Sequence, residues 1–187
     1  MNRSIIPSDD PILRVHAKDI ATSEIASPFI QTLISDMQEL LAAERLGVAI
    51  AAPQVGEALR LFVVSGRALL TEAEAEALEK TESPAPKDLV FINPRLLKTS
   101  RRRKDMHEGC LSLPGFWGMV PRSERATVSA YDETGKEFTR GASGLLAHIF
   151  QHEMDHPEGI LYTDKAHDLY QEKSDDPSEK SLPQVTA

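Results

Sequence analysis

Cysteine is almost missing: the 187-residue chain has one, Cys110. No internal disulfide framework can form, so the fold must rest on a packed core, which a chain of this length can bury. A lone thiol is ordinarily a small buried hydrophobe, and only its neighbours can lift it above that. Long apolar runs are missing too, none nearing the ~18–20 residues of a bilayer-crossing helix. The start, Met1-Asn2-Arg3-Ser4-Ile5-Ile6-Pro7, lacks the apolar stretch of a signal peptide and the Arg-rich pattern of an organellar presequence. A cytoplasmic location is therefore expected, although the same start suits an organellar enzyme already relieved of its targeting segment. Positive charge is in deficit, the formal net charge being −8, which argues against a surface built to hold nucleic-acid phosphates. The one basic cluster, Arg101 to Lys104, reads first as a solvated loop or edge strand and only second as a docking patch. There is no internal repeat. What remains, 41% hydrophobic and 27% charged residues, is the composition of an ordinary globular domain.

The first helix is expected from Pro28 to Arg45, capped by Ser27, with Phe29, Ile30, Leu33, Ile34, Met37, Leu40 and Leu41 at helical spacing and Gly47 at its end. Leu61 to Val64 reads as a buried strand. Thr71 with Glu74 forms a capping box for a short acidic helix reaching Lys80. Residues 82–86 read as a loop, and 66–88 together as a surface insertion. Strands are expected at 89–92 and 95–99, and a hairpin from 125–131 and 137–140 around Glu133-Thr134-Gly135. A helix over 143–156 would bury Leu145, Leu146, Ile149, Phe150 and Met154. Residues 1–165 then form one domain. Residues 166–187 are polar and acidic, and an exposed, mobile tail is expected there.

That last helix carries Gln151-His152-Glu153-Met154-Asp155-His156. Two histidines four apart lie one above the other on a helix face and can grip one ion, while the acid between them handles a proton. A thiolate from Cys110 would complete three protein ligands and leave a fourth position for water. Pro157 disfavours the α conformation at His156, which is expected in the last turn. Singly, each feature has a bland reading: a surface histidine pair and a core thiol. Glu153 could take a proton from an attacking water and pass it to a leaving nitrogen. An oxyanion would need donors in place, and the amide N–H of Leu111 adjoins the thiol.

Three segments resemble the signature motifs of peptide deformylases: Gly47-Val48-Ala49-Ile50-Ala51-Ala52-Pro53-Gln54, then Glu108-Gly109-Cys110-Leu111-Ser112, then the histidine motif. Asp10-Pro11-Ile12-Leu13-Arg14 and Phe91-Ile92-Asn93-Pro94 add to a similarity spanning roughly residues 5 to 165. The resemblance implies an α+β fold, antiparallel strands wrapped around a central helix carrying the His-Glu-x-x-His motif. It implies removal of the N-formyl group from the methionine of nascent polypeptides, releasing formate. By motif, Cys110, His152 and His156 hold a divalent metal, ferrous iron first, with zinc, nickel or cobalt as substitutes. Glu153 is the acid/base, and Gln54 and Leu111 hold the oxyanion. Val48, Leu145, His148 and Ile149 are expected around the methionine side chain, with Gly109 offering backbone contact.

The chain departs from that pattern in places. Ala49 stands where a second glycine is usual, His148 where an aliphatic residue or arginine is usual, and Pro157 where leucine is common. The acidic tail gives no support for the ribosome docking that some members achieve through a basic C-terminal helix. Two other readings compete: a zincin-like endopeptidase, which would need His167 or Glu158 as third ligand, and a metal-binding interaction protein without catalysis.

Overall fold

Ser27 opens the first long helix as its sequence implies. Its hydroxyl accepts the Ile30 N–H at 3.4 Å, and Pro28 fills the first turn, where its missing N–H costs nothing. In this computed structural model, which describes residues 3–44, 46–81 and 86–172, helix α1 spans Pro28–Ala43 and buries Ile30, Leu33, Ile34, Met37 and Leu41. It ends before the expected Arg45: Glu44 is extended and its N–H turns back to the Leu41 carbonyl at 3.2 Å, so Gly47 lies beyond the end. Phe29, expected on the apolar face, is 51% exposed.

Strand β1, Ala49–Ala51, is not among the expected elements; β2 is Leu61–Val64, where a buried strand is expected. Helix α2, Glu72–Thr81, begins at the expected capping box: the Glu74 carboxylate accepts the Thr71 N–H at 2.8 Å, and the Thr71 hydroxyl accepts the Glu74 N–H at 3.3 Å. Most of the expected loop at 82–86 lies outside the described residues. The two strands expected at 89–92 and 95–99 are one, β3, Leu89–Thr99, with a register shift between Ile92 and Arg95. Asn93 makes the continuation possible. It takes φ 50°, a conformation asparagine tolerates, and its side chain bonds the N–H and carbonyl of Ile20 at 2.8 and 2.7 Å. Next come β4, Arg103–Cys110, β5, Leu113–Ser123, β6, Arg125–Tyr131, and β7, Glu137–Ser143, which is longer than expected. The β6–β7 hairpin turns at Gly135, φ 82°. Helix α3 is Gly144–Asp155, and β8 is His167–Gln171. Chain beyond 165, expected as tail, thus adds a strand before the described residues end. No helix among them is long and apolar enough to cross a membrane.

The strands form two antiparallel sheets, ordered β1-β2-β3-β6-β7 and β4-β5-β8. Side chains alternate across a strand, and here both faces are covered. Ile50, Leu61, Val63, Val90 and Ile92 pack with α1. Phe62, Phe91 and Val128 pack on the other side with Ala147, Ile149 and Phe150 of α3. Phe62 and Phe91 stack at 4.6 Å, with Phe150 edge-on to Phe91 at 5.1 Å. Burying each such ring is worth about 1.5–3 kcal/mol, so one side of α3 is firmly anchored. Its other side faces β4 and β5. The result is the expected α+β fold, with α3 held between two antiparallel sheets.

Past α3 the chain makes a 3-10 turn, His156–Glu158, and reverses at Gly159, φ 72°. A Cβ there would lie 2.7 Å from the Arg14 carbonyl oxygen. Gly159→Ala should therefore lose about 1–3 kcal/mol, seen as a lower Tm in calorimetry. Gly141→Ala, whose Cβ would meet only Thr127 Oγ1 at 3.8 Å, should stay within about 0.5 kcal/mol of the parent. Equal melting of the two variants would contradict this packing.

Candidate metal centre

α3 sets His152 and His156 one turn apart, their ring centroids separated by 5.3 Å. His156 keeps a right-handed α conformation, φ −54° and ψ −48°, although Pro157 follows it. The change to a 3-10 turn at this point accommodates the proline, so His156 closes the helix and does not sit inside it. Cys110 comes from the other sheet, at the end of β4. Its Sγ lies 3.6 Å from His156 Nε2, and one ligand atom from each of Cys110, His152 and His156 falls within 4.8 Å of the others. A tetrahedral ion with metal–sulfur and metal–nitrogen bonds of about 2.3 and 2.0–2.1 Å has sulfur–nitrogen edges of about 3.6 Å. The donor set thus fits one ion.

The His152 ring is held from behind. Its Nδ1–H donates to Glu108 Oε2 at 2.8 Å, leaving Nε2 for an ion, and Tyr162 stacks on it at 6.1 Å. Glu108 accepts a two-pronged bond from Arg122 at 2.8 and 2.9 Å. Arg122 also donates to Asp155 at 2.6 Å, and Asp155 accepts Lys165 at 2.6 Å. Burial opposes the ionised form of Glu108, but Arg122 and His152 hold its pKa down at about 2. Burial likewise opposes protonation of His152, yet its bonds to Cys110 and Glu108 hold it well above the ordinary histidine value. His156 has no such support: burial pushes it well below, and its Nδ1 is sealed without a partner.

Glu153 is 4% exposed, and its Oε2 has no hydrogen-bond partner. Burial pushes its pKa up to about 7. Gln54 is as deeply buried. Its Oε1 accepts the Ala51 N–H at 2.8 Å, which turns Nε2 toward Cys110 Sγ at 3.3 Å and Ser112 Oγ at 3.5 Å. Leu111 follows the thiol in the turn joining β4 to β5 and packs against the α1 side of the core. Gly109 lies under Trp117, where a Cβ would come within 2.9 Å of the indole.

The expected pocket residues divide. Leu145 and His148 line a cavity of about 440 Å³ with Lys104, Met106, Arg125 and Ser143. Leu145, expected to be buried, is 49% exposed at its rim, and Val48, 39% exposed, is outside its lining. Ile149 packs into the aromatic core with Phe62 and Phe150. His148 is not in the ligand cluster. Neither is His167, bound to Asp105 and Asp168 on β8, nor Glu158, paired with Arg60 and His16, so an endopeptidase lacks its third ligand among the described residues. Arg122 and Tyr162 escaped the sequence reading. Glu108 stands two residues before the thiol, at the head of the Glu-Gly-Cys-Leu-Ser motif.

A thiolate and two imidazoles close enough to share an ion, beside a sealed carboxyl on a helix between two sheets, define the class: metal-dependent hydrolases of the His-Glu-x-x-His kind. The family model for polypeptide deformylases matches residues 2–172. A peptide deformylase of Thermomicrobium roseum is 39% identical over 166 residues, covering 89% of this chain and 86% of that one. The chloroplastic/mitochondrial peptide deformylase 1A of Arabidopsis thaliana is 38% identical over 162 residues, 86% of this chain but 60% of the plant protein. The crystal structure of a peptide deformylase from Legionella pneumophila superposes with a TM-score of 0.73 at 36% identity, covering 90% of this chain and 88% of that one. A Met-Ala-Ser-bound deformylase of Acinetobacter baumannii gives 0.75 at 30%, covering 88% and 98%. The chain belongs to the polypeptide deformylase family. It is a metal-dependent hydrolase that removes the N-formyl group from nascent polypeptides.

Proposed function

We propose that Cys110, His152 and His156 hold the divalent ion of this deformylase, and that the ion is ferrous iron, with zinc, nickel or cobalt able to replace it. When bound, the ion supplies Lewis acidity that polarises the formyl carbonyl and makes water acidic near neutral pH. Glu153 takes the proton of the attacking water and delivers it to the methionine nitrogen as the carbon–nitrogen bond breaks, releasing formate and a free amine. Gln54 Nε2 and the Leu111 N–H donate to the oxygen on which negative charge develops. Glu108, clamped by Arg122, keeps the His152 ring in its ligating orientation. The peptide lies along β4, an edge strand of its sheet, with Gly109 offering backbone contact. Leu145 and His148 wall the methionine side chain, Val48 stands at the mouth and Ile149 backs the wall from the core.

This reading assigns catalysis to residues 1–165 and a cytoplasmic workplace, with no nucleic-acid or membrane contact. The acidic segment 166–187 gives no support for ribosome docking. The 3.6 Å approach of Cys110 Sγ to His156 Nε2 carries the ligand assignment. Protein prepared without oxygen should contain one iron per chain and release formate from formyl-Met-Ala-Ser. Cys110→Ala should lose the ion on gel filtration and drop in activity by more than the ~10–100-fold that follows loss of outer supports. Air should inactivate the iron form through oxidation of the Cys110 thiolate. An alanine variant that retained one ion and full activity would remove Cys110 from the ligand set.

A further inference from the structure

The N-terminal arm is tied to the segment that carries Gln54 at several points. The Ile6 N–H donates to the Gln54 carbonyl at 2.9 Å. Further along, the Lys18 N–H donates to the Ala58 carbonyl and the Lys18 carbonyl accepts the Arg60 N–H, both at 2.9 Å. At its start the arm is fastened by Arg3. The Arg3 Nη1 donates to Glu57 Oε1 at 2.7 Å, and its Nε lies 3.2 Å from Asp36 Oδ2 on α1. The side chain is 12% exposed, and its guanidinium carbon stands 5.8 Å from the centre of the Phe29 ring. A guanidinium taken this far out of water must recover its hydration from such partners. Arg3 is thus a junction between the arm, α1 and the residue just past the Gln54 turn.

The turn itself is slight. Ala52–Val55 is a single 3-10 turn that reverses at Gly56, φ 84°, and the Glu57 N–H closes it on the Ala52 carbonyl at 3.1 Å. Short 3-10 pieces hold themselves with poorer hydrogen bonds than an α-helix does. Within the turn, one bond from the Ala51 N–H to Oε1, at 2.8 Å, aims the Gln54 side chain. The remaining support comes from outside, where Ile6 grips the backbone of Gln54 and Arg3 grips Glu57. Displacing a working group by about 1 Å can cost ~10²-fold in rate, so this support bears on catalysis. We infer that Arg3 is a positioning residue for deformylation: by joining Glu57 to α1 it seats the arm on the Gln54 turn and keeps Nε2 aimed at the oxygen on which negative charge develops. The inference rests on the role proposed for Gln54 and adds that this role depends on the arm.

The test is a double-variant cycle on iron-loaded protein. It measures kcat and KM for formyl-Met-Ala-Ser in the wild type, Arg3→Met, Gln54→Ala and the two combined. Removing one oxyanion donor costs about 10²–10³-fold in kcat, and Gln54→Ala should fall by that much. Arg3→Met only loosens the donor and should lose about tenfold in kcat, at unchanged KM. In the Gln54→Ala background the same change should cost less than about twofold, because the group it positions is gone. Arg3→Lys keeps the charge without the fork and should recover part of the loss. Partial misfolding would instead lower kcat equally in both backgrounds. A second readout stands apart from turnover: the side-chain amide protons of Gln54, a residue 1% exposed, followed by NMR in zinc-loaded protein and assigned by their absence from Gln54→Ala. Their exchange with solvent should speed by about tenfold in Arg3→Met. An Arg3→Met loss of the same size in both backgrounds, or no loss with amide exchange unmoved, overturns the inference and leaves the role of Gln54 standing. A Gln54→Ala protein with wild-type kcat overturns both.

Discussion

Glu153→Gln should reduce formate release by about 10²–10⁴-fold, the usual contribution of a positioned acid/base, while one ion per chain is retained. The amide keeps the volume of the carboxyl and cannot take a proton from water. Nothing structural should fail with it. Glu153 is 4% exposed, its Oε2 has no partner, and burial has already pushed its pKa to about 7. The carboxyl is poorly satisfied where it sits, so the variant should melt at or above the wild-type temperature. Iron content by plasma spectrometry, a thermal scan and a formate-coupled assay on one preparation decide the matter. A variant within tenfold of wild type would strip Glu153 of its role, and one without iron would show that it helps to retain the ion.

Arg122→Met should cost the most stability, about 3–5 kcal/mol in urea unfolding. The guanidinium is the main counter-charge of Glu108, and both side chains are nearly sealed, at 4% and 7% exposure. Methionine in its place leaves a buried carboxylate facing only His152. Adding Glu108→Gln removes that stranded charge and should recover much of the loss, the difference being the coupling between the two residues. Because Glu108 also orients His152, either variant should bind the ion more weakly by about 10–100-fold. An Arg122→Met protein less than 1 kcal/mol below wild type would mean that water reaches Glu108 freely.

The ligands were legible because they are chemistry-bearing residues at spacings that a helix turns into proximity. The helix was legible because its anchored side is apolar. The strands β4 and β5 were not legible, for a related reason. The inward positions of β4 hold Met106, Glu108 and Cys110, residues of the site, so the apolar alternation that announces a half-buried strand is missing. Pro114, Gly115, Gly118 and Pro121 break up β5 in the same way. Arg122 looks like any charged residue between a proline and a serine, and only the β4–β5 register carries it beneath α3. In β8 every residue is exposed, so no pattern of burial exists to be read, and the strand is defined by backbone pairing alone. The break expected at Asn93-Pro94 fell where the asparagine side chain substitutes for the missing ladder bonds.

Phe150, two residues before His152, is locked into the ring cluster of Phe62 and Phe91. Amide protons of α3 should then exchange with solvent only when the whole domain opens, and the two imidazoles cannot drift apart in the native state. The thiol stands instead at the edge of a short turn between β4 and β5. Of the three arms that would close on an ion, Cys110 is the one the ring cluster does not anchor: it is held by its pairing with Leu113 and by Gln54 Nε2 at 3.3 Å, so Gln54→Ala should speed loss of the ion to a chelator.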